Sequence, residues 1–173
     1  MLIVKESECH FEPAPPGLHN AVCCDVVDLG VVDGAFGPKR KVKLIWQLEE
    51  KNKTGERFQA RATYTQSLAE GSNLRRDLES WRGRAFTPEE KKGFDLERII
   101  GVTCQLSLKH AVSKSTGRTY AQVTAVLPGP KGKKLAVEKY EREPWPKQPG
   151  EDVVEAEPLE AEDADYTDRS VPF

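Results

Sequence analysis

Hydrophobic and polar residues alternate with a period of two along three early segments of the chain, the spacing of strands that bury one face. The first segment runs from Ala21 to Val27, the second from Val42 to Leu48 and the third from Phe58 to Tyr64. Two stretches rich in turn residues, 33–38 and 52–55, separate them. The pattern therefore predicts three antiparallel strands joined by two hairpins.

The hydrophobic period changes after residue 70 to the spacing of a helix. Ser72 is a favourable N-cap, and Leu74, Leu78 and Trp81 stand at i, i+4 and i+7. Gly83 follows where a helix would end. We expect one short amphipathic helix here, with its apolar stripe closing the bottom of a barrel formed by the strands.

Two further helical turns and two more strands complete the pattern. Thr87-Pro88-Glu89-Glu90 has the form of a capping box, and Asp95 precedes a last turn that Gly101 closes. Alternation resumes over Thr103–Val112 and Thr119–Leu127. The order strand, strand, strand, helix, strand, strand predicts an all-β protein with a helical insertion. It is the order of the OB-fold, a five-stranded, partly open barrel, with the helix between strands 3 and 4. Other small barrels share three or four of these elements.

Composition divides the chain into three parts. After Leu127 prolines and lysines dominate, and from residue 151 onward the chain holds nine acidic residues and a single base. That last segment has a formal charge of −8, so the rest of the chain is +6 although the total is −2. We expect an OB-fold-like domain over 1–130, a basic, proline-rich linker over 131–150, and an acidic, disordered tail over 151–173.

The acidic tail ends in a short hydrophobic plug, Val171-Pro172-Phe173. This ending resembles that of the bacterial-type single-stranded-DNA-binding proteins, with Val in place of Ile, although Arg169 and Ser170 stand where acids are expected. In that family the tip docks replication and repair enzymes, so the resemblance implies a partner-docking role for Asp168, Val171, Pro172 and Phe173. The alternative is a tail that only increases solubility.

A second resemblance lies in the interior of the chain. The segments Tyr64–Leu68, Ser72–Arg84 and Phe86–Thr87 are similar to those of single-stranded-DNA-binding proteins encoded by bacteriophages. The resemblance implies an OB-fold protein that binds single-stranded DNA without sequence preference in replication, recombination or repair.

OB-folds bind oligonucleotides through the face of strands 2 and 3 and through the loops that join strands 1 to 2 and 4 to 5. Both predicted loops hold basic residues near an aromatic ring, which suits phosphates and unpaired bases. Lys43 and Arg61 lie on the expected strand face, and four arginines surround the helix. The expected DNA contacts are, in chain order, Phe36, Lys39, Arg40, Lys41, Lys43, Arg61, Arg75, Arg76, Arg82, Arg84, Lys114, Arg118 and Tyr120.

Several of these residues have an alternative structural interpretation. Trp46 and Tyr64 share their faces with apolar neighbours, which favours core packing over base stacking. Gln47 shares the opposite face of the second strand with Lys43 and is a further ligand candidate. The arginines near the helix either contact phosphate or pair with the acids beside them, Glu70, Asp77 and Glu79.

The sequence gives little support to catalysis, metal binding or membrane insertion. Paired carboxylates, P-loops and catalytic triad motifs are not found, and the three histidines have no evident partners. The four cysteines lack metal-ligand spacing, and a zinc site from Cys9, His10, His19 and Cys23 would match no usual pattern. We expect free thiols, no cofactor and a non-enzymatic protein of the cytoplasm, or of the host cytoplasm if viral.

Two other functional classes remain open at this stage. One is an RNA-binding OB-fold protein, which would favour aromatic pairs on exposed strand faces and would not need a Phe-terminated acidic tail. The other is a protein-interaction adaptor whose acidic tail mimics nucleic acid.

Overall fold

The computed structural model describes residues 12–142, which form a five-stranded antiparallel sheet with a few short helices. The strand order in the sheet is β3-β2-β1-β4-β5. The strands are β1 (Gly17–Gly34), β2 (Gly37–Lys51), β3 (Arg57–Thr65), β4 (Thr103–Val112) and β5 (Thr119–Pro128). The prediction of a predominantly β architecture is confirmed.

The sheet curls because β1 is long and bent. Its first residues, Gly17–Val22, pair with β4, whereas residues 21–34 pair with β2. Irregularities in the β1–β2 ladder occur between Cys23 and Asp25 and between Asp28 and Gly30, and bulges of this kind increase strand bending and twist. The edge strands β3 and β5 also contact each other. The result is a small, barrel-like sheet.

Helical segments lie in the chain between β3 and β4: α1 (Asn73–Arg82), α2 (Pro88–Lys92) and a 3₁₀ turn (Leu96–Ile99). The Ser72 side chain accepts a hydrogen bond from the backbone N–H of Arg75, and Gly83 ends the helix in the left-handed region at φ 70°. α1 packs against β5 and β3. Within residues 12–142 no helix is long and apolar enough to span a membrane.

The main core lies on the inner face of the sheet. Trp46 and Leu44 of β2 are completely or almost completely buried there, and Trp81 of α1 lies with its ring centroid 6.2 Å from that of Trp46. Tyr64 is also buried, and its hydroxyl donates to the Asp77 carboxylate at 2.9 Å. The core interpretation of Trp46 and Tyr64 is therefore confirmed.

Residues 131–142, which we call the strap, pack on the outer face of the sheet. The Gln47 side chain donates to the Glu138 carbonyl and accepts from its N–H, and the Arg57 guanidinium donates to the Ala136 carbonyl at 2.8 Å. The chain therefore does not leave the folded domain at residue 130, where the sequence placed the start of a linker. Gln47, considered above as a ligand candidate, is buried beneath the strap.

A second, small apolar cluster lies under the end of the strap. Cys24, Val27 and Ile45 are buried there, with Leu29 and Tyr140 packed against them. Cys23 belongs to the main core instead, so the two adjacent cysteines lie on opposite faces of β1 as predicted. Cys23, Cys24 and Cys104 are free thiols.

Two histidines hold the chain that precedes β1. His19 donates through Nε2 to the Pro15 carbonyl at 2.7 Å, and its Nδ1 lies 3.0 Å from a Glu50 carboxylate oxygen. His110 lies 2.8 Å from the Ala14 carbonyl through its own Nε2. His19 and His110 therefore have partners that the sequence did not reveal.

Candidate nucleic-acid interface

The β1–β2 hairpin forms a two-stranded ribbon that extends past the residues paired with β3 and β4. The pairs beyond those residues run from Val31 with Arg40 to Gly34 with Gly37, which leaves only residues 35 and 36 in the turn. Lys39, Arg40 and Lys41 were expected in a loop, and that expectation is wrong because all three belong to β2. The glycine-bounded two-residue turn, with Gly37 at φ 94°, makes the hairpin tighter than the turn-rich composition of this segment indicated.

The strand geometry determines on which face of β2 each basic residue lies. Side chains alternate across a strand, so Lys39, Lys41 and Lys43 share one face, and Arg40 points to the other. That shared face is the outer one, because Ile45 continues it into the small apolar cluster outside the main core. Arg40 pairs with Asp28 at 2.9 Å. We call Lys39, Lys41 and Lys43 the lysine stripe.

Phe36 stands at the tip of the ribbon, with 91% of its surface exposed. The Lys39 ammonium lies 6.0 Å from the centre of its ring. Lys41 donates to the Thr65 hydroxyl at 2.9 Å, which fixes the lysine against β3. The ribbon thus presents an aromatic face next to positive charge.

The neighbouring strand β3 widens the lysine stripe. Lys43 pairs across the ladder with Thr63, and Ile45 pairs with Arg61, so these side chains share the outer face. Arg61 is exposed, and its guanidinium donates to the Gln59 side chain at 3.2 Å. Both Lys43 and Arg61 therefore lie on the predicted face of strands 2 and 3.

The loop between β4 and β5 carries the second predicted cluster. Lys114 and Arg118 are exposed, and Tyr120, at the start of β5, is 38% exposed. They border an open cavity of about 540 Å³. A hydrogen bond from the Ser113 N–H to the Arg118 carbonyl, 2.9 Å, fixes the loop.

The two clusters do not merge into one site. β4 runs antiparallel to the first residues of β1, so the β4–β5 loop lies beyond the start of β1, whereas the ribbon lies at its end. The outer face of the bent sheet lies between them.

The arginines around α1 are all engaged with acids. Arg75 pairs with Glu79 at 3.0 Å, and Arg76 pairs with Asp77 at 3.0 Å. Arg84 lies 3.7 Å from a Glu90 oxygen. Arg76 and Arg84 are exposed, but each is already paired with a carboxylate.

Arg82 differs from the other arginines because its side chain is only 1% exposed. Its guanidinium donates to both oxygens of Glu90, at 2.7 and 3.1 Å, and lies 4.7 Å from the centre of the Phe86 ring. These hydrogen bonds lower the pKa of Glu90 to about 2. A buried, paired guanidinium does not reach a phosphate, so we remove Arg82 from the interface.

Two features of the outer face were not found from the sequence. Asp25 is completely buried and accepts from the Tyr140 hydroxyl at 3.1 Å and from the Arg142 guanidinium at 3.0 Å. A single acid in the apolar run 21–27 was the available signal that a partner was needed. The second feature is Lys139, an exposed base in the strap, which no pattern in the sequence marked as part of this face.

Metal ligation finds no support among residues 12–142, where no group of three or more His, Cys, Asp or Glu is arranged to hold an ion. Cys9 and His10 of the imagined zinc set lie outside the described residues, as do Asp168, Val171, Pro172 and Phe173 of the predicted docking tip.

Comparison with known proteins adds no relative. The sequence matches none of the protein-family models, and a search of curated proteins finds no significant match.

Proposed function

We propose that this chain is an OB-fold protein that binds single-stranded DNA without sequence preference and acts in DNA replication, recombination or repair. The observation that carries the proposal is the lysine stripe on the outer face of β2, with the exposed Phe36 ring at its end. The strand order β3-β2-β1-β4-β5 and the contact between β3 and β5 support an OB-fold. In that fold this face and the two flanking loops bind oligonucleotides.

The chemistry of the interface suits a single strand. Lysines at every second position of an extended strand provide a row of charges for a phosphate backbone. Exposed rings, Phe36 at one end of β1 and Tyr120 beyond the other, stack on bases only where those bases are unpaired. Stacking contributes roughly 1 to 3 kcal/mol per base and tolerates any sequence.

We further propose that the protein is not an enzyme and that its acidic tail recruits replication or repair proteins. The support for recruitment is the Val171-Pro172-Phe173 ending and its resemblance to bacterial docking tips. A tail of charge −8 attached to a basic domain would also compete with DNA for the lysine stripe.

A comparison of three nucleic acids by titration tests the DNA-binding proposal. The full chain is titrated with single-stranded DNA, single-stranded RNA and duplex DNA of equal length and mixed sequence, at one salt concentration. The proposal predicts the tightest binding to single-stranded DNA, with little change when the base sequence is scrambled.

The same titration separates the rival classes. Tighter binding to RNA would assign the interface to an RNA-binding protein. Failure to bind any of the three would leave the adaptor function and contradict the proposal.

A further inference from the structure

The strap crosses the same face of the sheet that carries the proposed DNA contacts. Lys43, Ile45 and Gln47 alternate along β2 and therefore share its outer face. Gln47 is hydrogen-bonded to the backbone of Glu138, and Ile45 lies in the apolar cluster against which Tyr140 packs. The strap thus begins to cover β2 where the lysine stripe ends.

The strap changes the charge of the surface that it covers. Asp25 and Glu97 both bind Arg142, at 3.0 and 3.2 Å, and Glu49 forms an ion pair with Lys133. The strap thus places a positive charge beside each of these three acids, of which only Asp25 is buried. The strap itself contains five bases, Lys131, Lys133, Lys134, Lys139 and Arg142, and two acids, Glu138 and Glu141. Its docking therefore adds a net charge of +3 to this face, although Glu138 pairs with Arg57 and Lys51 of the sheet.

Lys139 has an unusual backbone conformation. Its φ is 44°, and it is the sole non-glycine residue with positive φ among residues 12–142. Glycine occupies such positions without strain, whereas a residue with a Cβ does not. Strained backbone persists where the surroundings enforce it, and it clusters at functional sites.

The neighbours of Lys139 enforce that conformation. Glu138 binds Arg57 at 2.8 Å, and the Tyr140 hydroxyl donates to Asp25 at 3.1 Å. The side chains on both sides of Lys139 are therefore bound to the sheet, whereas Lys139 itself is exposed. Its backbone therefore lies over the outer face of the sheet, between one residue hydrogen-bonded to Gln47 and another hydrogen-bonded to Asp25.

We propose that the docked strap is part of the DNA interface and that Lys139 binds a backbone phosphate, in line with Lys39, Lys41 and Lys43. The contact is to phosphate and so does not read sequence. This inference rests on the proposed function, because it extends the same surface.

Salt dependence tests the phosphate contact. For a single strand, removing one phosphate contact reduces the slope of log K against log salt by about 0.7, which corresponds to about fivefold weaker binding at about 0.1 M salt. Lys139→Gln in the full chain should show both changes with a short oligothymidylate. Lys139→Arg should bind like the parent, and so should Lys91→Gln, which removes an exposed lysine from α2. An unchanged slope in Lys139→Gln would overturn the inference.

A glycine variant separates the strain from the contact. Lys139→Gly should raise the denaturation midpoint, because the left-handed conformation suits glycine, and should weaken DNA binding as much as Lys139→Gln. Binding equal to that of the parent would show that the position serves only the backbone and would contradict the proposal.

Cys24 provides a direct reporter of the strap, because it is buried in the cluster against which Tyr140 packs. In the full chain with Cys9→Ser, the reaction of Cys24 with a thiol reagent reports strap opening, whereas Cys23 and Cys104 report opening of the main core. If DNA binds the docked strap, saturating oligothymidylate should slow the Cys24 reaction. An unchanged or faster reaction with bound DNA would mean that the strap is not part of the site.

These outcomes are distinguishable from failure of the proposed function. A parent that does not bind oligothymidylate would remove both proposals. If the parent binds, but Lys139→Gln has an unchanged salt slope and bound DNA does not slow the Cys24 reaction, the inference about the strap fails and the proposed function stands.

Discussion

The guanidinium of Arg82 donates two hydrogen bonds to the carboxylate of Glu90, 2.7 and 3.1 Å long. The centres of the Phe86 and Phe94 rings lie 4.7 and 5.8 Å from the guanidinium carbon. Glu90 also accepts from the Thr87 N–H in the capping box of α2. The pair therefore fastens the first turn of α2 to the last residue of α1.

Replacing Arg82 should destabilise the domain without directly removing a DNA contact. Removing one partner of a buried ion pair leaves the other charge unpaired and costs about 3 to 5 kcal/mol. We expect Arg82→Ala to lower the free energy of unfolding by roughly the lower of these values, measured by chemical denaturation. Arg84→Ala is the matched control, and its more exposed interaction with Glu90 should cost at most about 1 kcal/mol. Equal effects of the two substitutions would contradict the assignment.

The same pair predicts a dependence on pH. The pKa of Glu90 falls from 4.5 to about 2 in the folded state, mainly because Arg82 donates to it. The folded protein thus holds fewer protons than the unfolded chain between these values, and this stabilisation is complete above pH 4.5 and lost as the pH falls toward 2. The stability difference between the parent and Arg82→Ala should shrink over that range. A constant difference would show that Glu90 is not the group involved.

Trp81 should be a residue of folding rather than of binding. It is buried against Trp46, and its indole N–H donates to the Thr103 carbonyl at 3.1 Å. Trp81→Ala should cost about 3 to 5 kcal/mol because it leaves a cavity, and Trp81→Phe should cost less. If Trp81→Ala unfolds at the denaturant concentration of the parent but binds DNA poorly, Trp81 is a ligand residue.

The strands and the core could be predicted because their signals are local. Alternation over Val42–Leu48 placed Trp46 on the inner face, and the structure buries it there. The ends of the strands were less predictable, since Lys39 and Arg40 join β2 through pairing with Val32 and Val31 of β1. A composition rich in Gly and Pro does not reveal that register.

Contacts between distant segments escaped prediction. The bonds between Gln47 and Glu138 connect residues 91 positions apart, and no local pattern marks either one. Arg82 had nearer acids to choose from, but the packing of Phe86 and Phe94 selects Glu90. A buried Asp25 shows in the sequence that a partner is needed, but not that Tyr140 and Arg142 supply it.

The lysine stripe should determine the salt dependence of DNA binding. Lys39→Ala with Lys41→Ala should flatten the slope of log K against log salt by about 1.4, at 0.7 per phosphate contact. Arg40→Ala is the control within the same segment, because Arg40 points to the other face and pairs with Asp28. A larger change in Arg40→Ala than in the double variant would place the DNA on the opposite face of the ribbon.

The acidic tail should act through its tip and its charge separately. Removing Pro172 and Phe173 should abolish the capture of replication proteins and leave DNA affinity nearly unchanged. Removing residues 151–173 should tighten DNA binding, most at low salt, where charge competition is least screened. Unchanged DNA affinity at low salt after the longer deletion would exclude competition, and undiminished capture by the shorter one would exclude docking by the tip.

Amide chemical-shift mapping of the full chain during titration with an oligothymidylate tests single-stranded-DNA binding by the outer face most directly. We expect the shifts to concentrate on that face, at Phe36, Lys39, Lys41, Lys43, Arg61 and Lys139, with further changes in the β4–β5 loop at Lys114 and Arg118. Leu74, Leu78 and Arg82 of α1 should be unaffected. Shifts confined to α1 and α2, or no shifts at saturating oligonucleotide, would contradict single-stranded-DNA binding by this surface.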